Sequence, residues 1–546
     1  MAQVRHPEVA DAATGVVRDR AVRPTRRWWL QVGALASLAA ASRFALLAAV
    51  LGSGDVTLHV DEAQYWDWSR EPAWGYYSKP PVIAALIGAS TALFGDGVVG
   101  VKALAMLCWP AAALVLARLA FAIARHEGHG IAAAERAGVW AAVVFLVSTP
   151  AGVLGLAATT DAPLLLGWSL AALALWHASW VGGHRAWAMF GVAAALAMLS
   201  KYTAAALAVA AVAVAFVPAG GPRGPTRRRQ RATGPLLAAA VVLAALAPHL
   251  AWNAAHGWPT LRHTVEITAA ATPLAPGRAA VAFVSWLLGQ AVLLGPVWGW
   301  WLWRHARRPA RPASAGLRVY LAALVWPLLG LGAVQALHAG AEVNWTAPVL
   351  VGFTLWLALR LAESPEASPA LASARRLAWA QALLVAAAML IPALVLRAMP
   401  DAATLPKVLD AWSRMRGWGT AYGELRAPLR QALAEMPGAP VVTTSRALAA
   451  QGRHRWRDLA LDWRAWRPLD DAGRPRPARD HYQLTRPWTP RPGQAVIVLS
   501  EGDPPPALRS QLVDWRPLGA ADAVQAGAHR VPLRLWRASV PMEAAR

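Results

Sequence analysis

A mainly α-helical, polytopic membrane fold of about eleven spans, followed by a soluble C-terminal α/β domain, is what this sequence predicts. Three observations carry that prediction. Of the 546 residues, 57% are hydrophobic and only 15% charged, a balance foreign to soluble globular chains of this size. Apolar runs near the roughly 20 residues that cross a bilayer recur from Trp28 to Leu396, separated by short segments rich in Arg, Pro and Gly. Beyond Met399 these runs stop, and Val441 to Thr444 and Ala495 to Leu499 read as buried strands, each followed by a plausible helix.

The spans fall at about 28–51, 98–121, 138–157, 162–181, 186–199, 202–218, 235–252, 279–303, 316–337, 345–361 and 377–398. Residues 1–27 are expected to be a cytoplasmic tail, because the run from Trp28 to Leu51 is too long for the apolar core of a signal peptide. Residues 28–398 then form the membrane domain, and 399–546 a periplasmic α/β domain of an inner-membrane protein.

Arginine distribution sets the parity, since cytoplasmic loops collect basic residues. One set of loops holds Arg5 to Arg27, Arg125, Arg136, Arg185, the clusters Arg223 to Arg231 and Arg304 to Arg318, and Arg375 with Arg376. The other set holds only Arg70, Lys79, Lys201, Arg262 and Arg278. Two placements keep this count consistent. Pro81 to Phe94 is too short to cross and is expected to lie as an interfacial or re-entrant helix. Ser200-Lys201-Tyr202-Thr203 is expected to be a turn, because one span over 186–218 would carry Arg227 to Arg231 to the outer side.

The net charge of +23 could suggest nucleic acid, but much of it lies in loops between apolar spans, so no nucleic-acid partner is expected. Cys108 is the only cysteine, which excludes an intramolecular disulfide and a thiolate zinc cluster. Lys79, Lys102, Lys201 and Lys407 are the only lysines, a scarcity that makes each worth inspecting.

The polar residues that composition does not explain fall on one side. The first outer loop reads Asp61-Glu62-Ala63-Gln64-Tyr65-Trp66-Asp67-Trp68, then Tyr76-Tyr77-Ser78-Lys79-Pro80-Pro81. Carboxylates to take a proton or orient an acceptor, aromatic faces for sugar and a cation for phosphate suit glycosyl transfer, although a solvated loop could show the same residues. Asp161 sits between two apolar spans with hardly any loop, where it either faces a polar cavity or helps start the next helix. Near the end of another span stand Trp252, His256, Trp258 and His263, as site groups or as an interfacial belt. Glu342 and Asn344 share the side of Asp61, and Lys201 joins them by position. Arg43, in the outer half of the first span, either snorkels to the interface or pairs with a lipid phosphate. No cofactor is assigned; a divalent metal stays open, with His256, His263 and Glu342 as candidate ligands.

In this order, Asp61-Glu62, Lys79-Pro80-Pro81, Thr160-Asp161-Ala162-Pro163, Ser200-Lys201-Tyr202-Thr203, Asn253 to His263 and Glu342-Val343-Asn344-Trp345 resemble the bacterial protein mannosyltransferase and aminoarabinose transferase group, glycosyltransferase family 39, within the GT-C integral membrane glycosyltransferases. The resemblance spans residues 28 to about 398. It implies inverting transfer from a polyprenyl-phosphate sugar donor to an envelope acceptor (lipid A, another glycan or lipid, or protein), at the outer membrane surface. It casts Asp61 as the key carboxylate, assisted by Glu62, with Asp161 as a second acid. Lys79 becomes a phosphate ligand, with Lys201, His256, Glu342 and Asn344 as its neighbours; by position alone, Lys201 and Arg43 are further candidates for phosphate and Tyr65, Tyr77, Trp258 and His263 for substrate. The alternative is a polytopic transporter or flippase of lipid-linked sugars, which should show repeated halves and polar groups at the bilayer midplane.

Overall fold

The computed structural model describes residues 23–216, 225–268, 274–305, 312–399, 409–525 and 529–542. Most of the N-terminal tail, the side chains of the Arg223 to Arg231 cluster, Arg307, Arg308, Arg311 and Lys407 lie outside the described residues.

Seven described helices are long and apolar enough to cross a membrane: Arg26–Leu51, Val98–His126, Asp161–Trp180, Ala232–Ala255, Pro276–Leu294, Ala315–His338 and Pro369–Ala398. The pair Ile131–Leu146 and Thr149–Leu156, bent by 61°, makes an eighth. The remaining expected crossings are helices of only 11 to 15 residues: His184–Met198, Ala206–Phe216 and Val349–Ala362. At 1.5 Å per residue a 15-residue helix rises about 23 Å, short of a hydrocarbon core of about 30 Å. Such helices need their ends covered by protein, and the candidate site lies at several of those ends. The chain is a multi-pass membrane protein.

Two breaks replace spans expected to be continuous. The run 279–303 divides into Pro276–Leu294 and Pro296–His305, because Gly295 takes φ 93° and Pro296 has no amide hydrogen to continue the ladder. The run 138–157 turns at Val147, where Ser148 caps the short helix Thr149–Val153. Val82–Phe94, at 13 residues about 20 Å long, packs on Val98–His126 without the length to cross. At Lys201 the chain leaves helix His184–Met198, makes a single 3₁₀ turn over Tyr202–Ala205, and resumes.

Loops expected on one side gather at one end of the bundle. There the Thr25 N–H donates to Glu135 at 2.8 Å, the Ser314 hydroxyl donates to Glu127 at 2.7 Å, and Arg136 donates to the Ala362 carbonyl at 3.2 Å. The opposite end carries a five-stranded mixed sheet: β1 (Val441–Thr443), β2 (Trp463–Ala465), β3 (Ala495–Glu501), β4 (Val513–Val524) and β5 (Arg530–Ser539), in the order β2-β1-β3-β5-β4. Strand β1 is parallel to β2 and β3, while β5 is antiparallel to β3 and β4. Buried on both faces at its centre, β3 reads as a continuous apolar run, Val496 to Leu499.

Helix Arg446–Arg455, which follows β1, docks this domain on the first-loop helix Val60–Arg70. Arg453 pairs with Asp67 at 2.6 Å, and the Gln451 amide donates to the Leu58 carbonyl at 2.9 Å. Both Arg453 and Asp67 are largely covered, so their separation would strand charge in a poorly solvated interface.

Candidate active site

The first turn of helix Val60–Arg70 sends its two adjacent acids in different directions. His59 caps the helix by accepting from the Asp61 N–H at 3.2 Å, and the His59 N–H donates back to Glu62 Oε2 at 2.8 Å. Glu62 Oε1 accepts from the Ala158 N–H at 2.7 Å and from the Lys102 ammonium. Lys102 is fully buried and Glu62 nearly so. Both Glu62 oxygens are therefore committed to holding the first loop, helix Val98–His126 and the segment before Asp161 together. Glu62 thus anchors the loop that carries Asp61, and it also lines the cavity beside Asp61.

Asp61 is 42% exposed and pairs with Arg446 Nη1 at 2.7 Å; the same nitrogen donates to Gln64 Oε1 at 2.9 Å. Burial alone would raise the Asp61 pKa, but Arg446, His59 and Lys79 together hold it below the ordinary carboxylate range.

A second cluster assembles from three breaks far apart in sequence. Lys201 donates to Asp161 Oδ1 at 2.8 Å, Asn344 Nδ2 donates to Asp161 Oδ2 at 3.1 Å, and Lys201 also reaches the Asn344 carbonyl at 3.3 Å. Thr160 makes no side-chain cap, so buried Asp161 is held by these partners rather than by helix capping.

Lys79 lies between the two groups electrostatically. Its half-buried ammonium has no hydrogen bond or ion pair among the described residues, yet the charges of Lys201, Asp61, Asp161 and Arg446 all act on it. Burial and Lys201 lower its pKa more than the two aspartates raise it. The buried Tyr65 phenol feels the same two aspartates, and burial drives its pKa well up. His263 meets the buried Tyr77 ring at 5.4 Å; burial, reinforced by Lys79 and Arg446, depresses its pKa and keeps it neutral at pH 7.

Other expected members lie outside this group. Arg43 is buried and donates twice to the Ala151 carbonyl, at 2.9 and 3.2 Å, and once to the Ala39 carbonyl at 2.9 Å, satisfying backbone beside the 146–149 bend. His256 is exposed, stacks on Trp252 at 4.3 Å and bonds that residue's carbonyl. Trp258 is exposed in a left-handed turn at φ 61°. Glu342 is exposed and its carboxylate has no partner among the described residues. No group of three His, Cys, Asp or Glu that could hold a metal occurs among the described residues, so His256, His263 and Glu342 do not form a common ligand set.

Three contributors were not visible as site residues in the sequence. Arg446 is one arginine among many in the C-terminal domain. Lys102 was marked only by the rarity of lysine. His249 lies inside an apolar helix: its Nδ1 donates to the Trp74 carbonyl at 2.6 Å, so Nε2 accepts from the Tyr202 hydroxyl at 2.5 Å. Thr260 donates to the Tyr76 carbonyl at 2.7 Å, and together these bonds pin the loop that carries Lys79. Gly75 stands so close to Trp252 and His249 that any β-carbon would collide.

Beside Asp61 opens a cavity of about 670 Å³. His59, Asp61 and Tyr65 form its polar wall; Leu154, Leu156, Met389 and Trp412 form an apolar one, with Arg414 at the rim.

Residues 78–252 match the family model described as dolichyl-phosphate-mannose-protein mannosyltransferase, a stretch that includes Lys79, Asp161 and Lys201. The crystal structure of ArnT from Cupriavidus metallidurans bound to undecaprenyl phosphate superposes with TM-score 0.55 over 94% of this chain and 98% of that one, at 14% identity. The fold is that of the GT-C glycosyltransferases. The apo structure of the same ArnT matches equally, with TM-score 0.55 and the same coverage at 13% identity. In sequence, the chain is 29% identical over 323 residues to the lipid A galacturonosyltransferase RgtD of Rhizobium johnstonii; the match covers 58% of this chain and 63% of that relative, less than two thirds of its length.

Proposed function

We propose that this inner-membrane protein transfers a sugar from a polyprenyl-phosphate donor to an envelope acceptor on the periplasmic side, with inversion at the anomeric carbon. One observation carries the reading: Asp61, unpartnered Lys79 and the Asp161–Lys201–Asn344 cluster share one electrostatic neighbourhood, and Asp61 lines a cavity with an apolar wall. That wall suits a lipid chain, while the charged end suits its phosphate and the reacting sugar. Likeness to the galacturonosyltransferase RgtD and to ArnT supports a lipid-linked donor, with lipid A as the first acceptor to examine.

In the proposed step the acceptor oxygen attacks the anomeric carbon from the face opposite the carrier phosphate. The bond from that carbon to the phosphate oxygen breaks, and its electron pair leaves with the carrier phosphate, whose charge Lys79 offsets. A hydroxyl acceptor gives its proton to Asp61, which its cationic neighbours keep ionised and ready to accept. A phosphate acceptor is already ionised, and Asp61 then orients it. Asp161, held by Lys201 and Asn344, sets the acidic wall of the sugar site.

The test is mass spectrometry of envelope lipids, glycans and proteins from a deletion strain. One sugar mass should vanish on deletion and return with the wild-type gene. Asp61→Asn and Lys79→Ala should each insert normally and lower transfer by about 100-fold or more. Full restoration by either variant removes that residue from the mechanism.

A further inference from the structure

The Asp61 ion pair leaves half of an arginine unused. Arg446 spends only Nη1 on Asp61 and Gln64, and its Nε and Nη2 make no hydrogen bond among the described residues. Its side chain is 42% exposed. The Nε–Nη2 edge presents parallel N–H donors in the spacing that phosphate oxygens accept in pairs. The Lys79 ammonium is also without a partner among the described residues, and the Arg446 charge acts on both Lys79 and His263. Asp61 engages Arg446 through one nitrogen only, so the remaining donors of the two cations can still take an anion.

We propose that Arg446, from the C-terminal domain, is the second phosphate ligand of the site: it and Lys79 together clamp the phosphate of a lipid substrate. The proposal rests on the glycosyltransferase reading above and adds what that reading leaves open, namely that the site is incomplete without the C-terminal domain. Ser445 caps helix Arg446–Arg455 by accepting from the Leu448 N–H at 3.3 Å, and Gln451 and Arg453 fasten it to the first loop, so Arg446 is presented from a fixed element. Asp61 both steadies the guanidinium through Nη1 and repels an incoming anion. Its removal should therefore strengthen binding, whereas loss of Arg446 should weaken it.

Two lipid phosphates share this chemistry, that of the carrier and that of a phosphorylated acceptor. The experiment measures binding of undecaprenyl phosphate and, separately, of bisphosphorylated lipid A to the full-length protein in detergent. Wild type is compared with Arg446→Ala, Arg446→Gln, Arg446→Lys and Asp61→Asn, each checked for an unchanged thermal transition. We expect Arg446→Ala and Arg446→Gln to weaken binding of one probe on the order of 10-fold, as loss of a charge-assisted pair of hydrogen bonds does. Arg446→Lys should fall between, because it keeps the charge and loses the fork. Asp61→Asn should bind tighter than wild type. The affected probe identifies the source of the phosphate. If both Arg446 neutralisations bind both probes as wild type does, the proposal is overturned while the function stands; if wild type binds neither probe, the donor reading falls with it.

Discussion

Neighbouring acids in this chain differ in role because their partners differ. Glu62 is enclosed by a lysine and two backbone N–H groups, while Asp61 meets an arginine at a half-open surface. The sign of the Asp61 shift yields a prediction for the pH profile of transfer. A carboxylate held below the ordinary value of about 3.9 stays ionised as pH falls from 7 to 5, so Asp61 should impose no acidic limb there. The Asp61–Arg446 contact likewise persists above the unfolded carboxylate's pKa and is lost only as pH drops through the lower folded value. In Arg446→Gln the main lowering influence is gone and burial remains, so the acidic limb should move to higher pH. A transfer-rate profile of the two proteins checks this; coincident limbs would show that Arg446 does not set the ionisation of Asp61.

Breaks between helices, more than the helices themselves, build the site. The bend at 146–149, the turn at Lys201 and the 3₁₀ turn Val343–Thr346 each free backbone and polar side chains that meet partners from elsewhere in the chain. The Glu62–Lys102 pair ties the first-loop helix Val60–Arg70 to helix Val98–His126, and its burial makes it sensitive to loss of one member alone. Lys102→Met should strand a carboxylate and destabilise the protein by roughly 3–5 kcal/mol, whereas the double variant Glu62→Gln with Lys102→Met should recover most of that loss. Thermal unfolding in detergent measures both. Transfer should recover in the double variant too; a stable but inactive double variant would return Glu62 to the chemistry.

Across the whole molecule, the α/β domain and the candidate site share one end of the bundle, and that end is proposed to face the periplasm. In a protein whose single cysteine, buried Cys108, is replaced by alanine, exposed Glu342→Cys should react with a membrane-impermeant thiol reagent added to the outside of spheroplasts. Exposed Arg185→Cys should react only after the membrane is opened. The reverse pattern would invert the topology.

Read alone, the sequence determined whatever depends on solvent and local backbone chemistry. Apolar length marked the spans, arginine distribution grouped the loops, and Pro, Gly and the scarce lysines marked the breaks, because these effects act on neighbouring residues or on transfer from water to lipid. It singled out Asp61, Lys79, Asp161, Lys201 and Asn344, since polar and ionisable groups beside apolar spans are costly without a purpose. Tertiary structure alone decided which of these meet. Arg446 reaches Asp61 across 385 residues, Glu62 turns inward to Lys102, and Arg43 spends its donors on a helix bend. Pairing of that kind is fixed by packing and by the need to satisfy every buried charge, and neither is written in the spacing of residues along the chain.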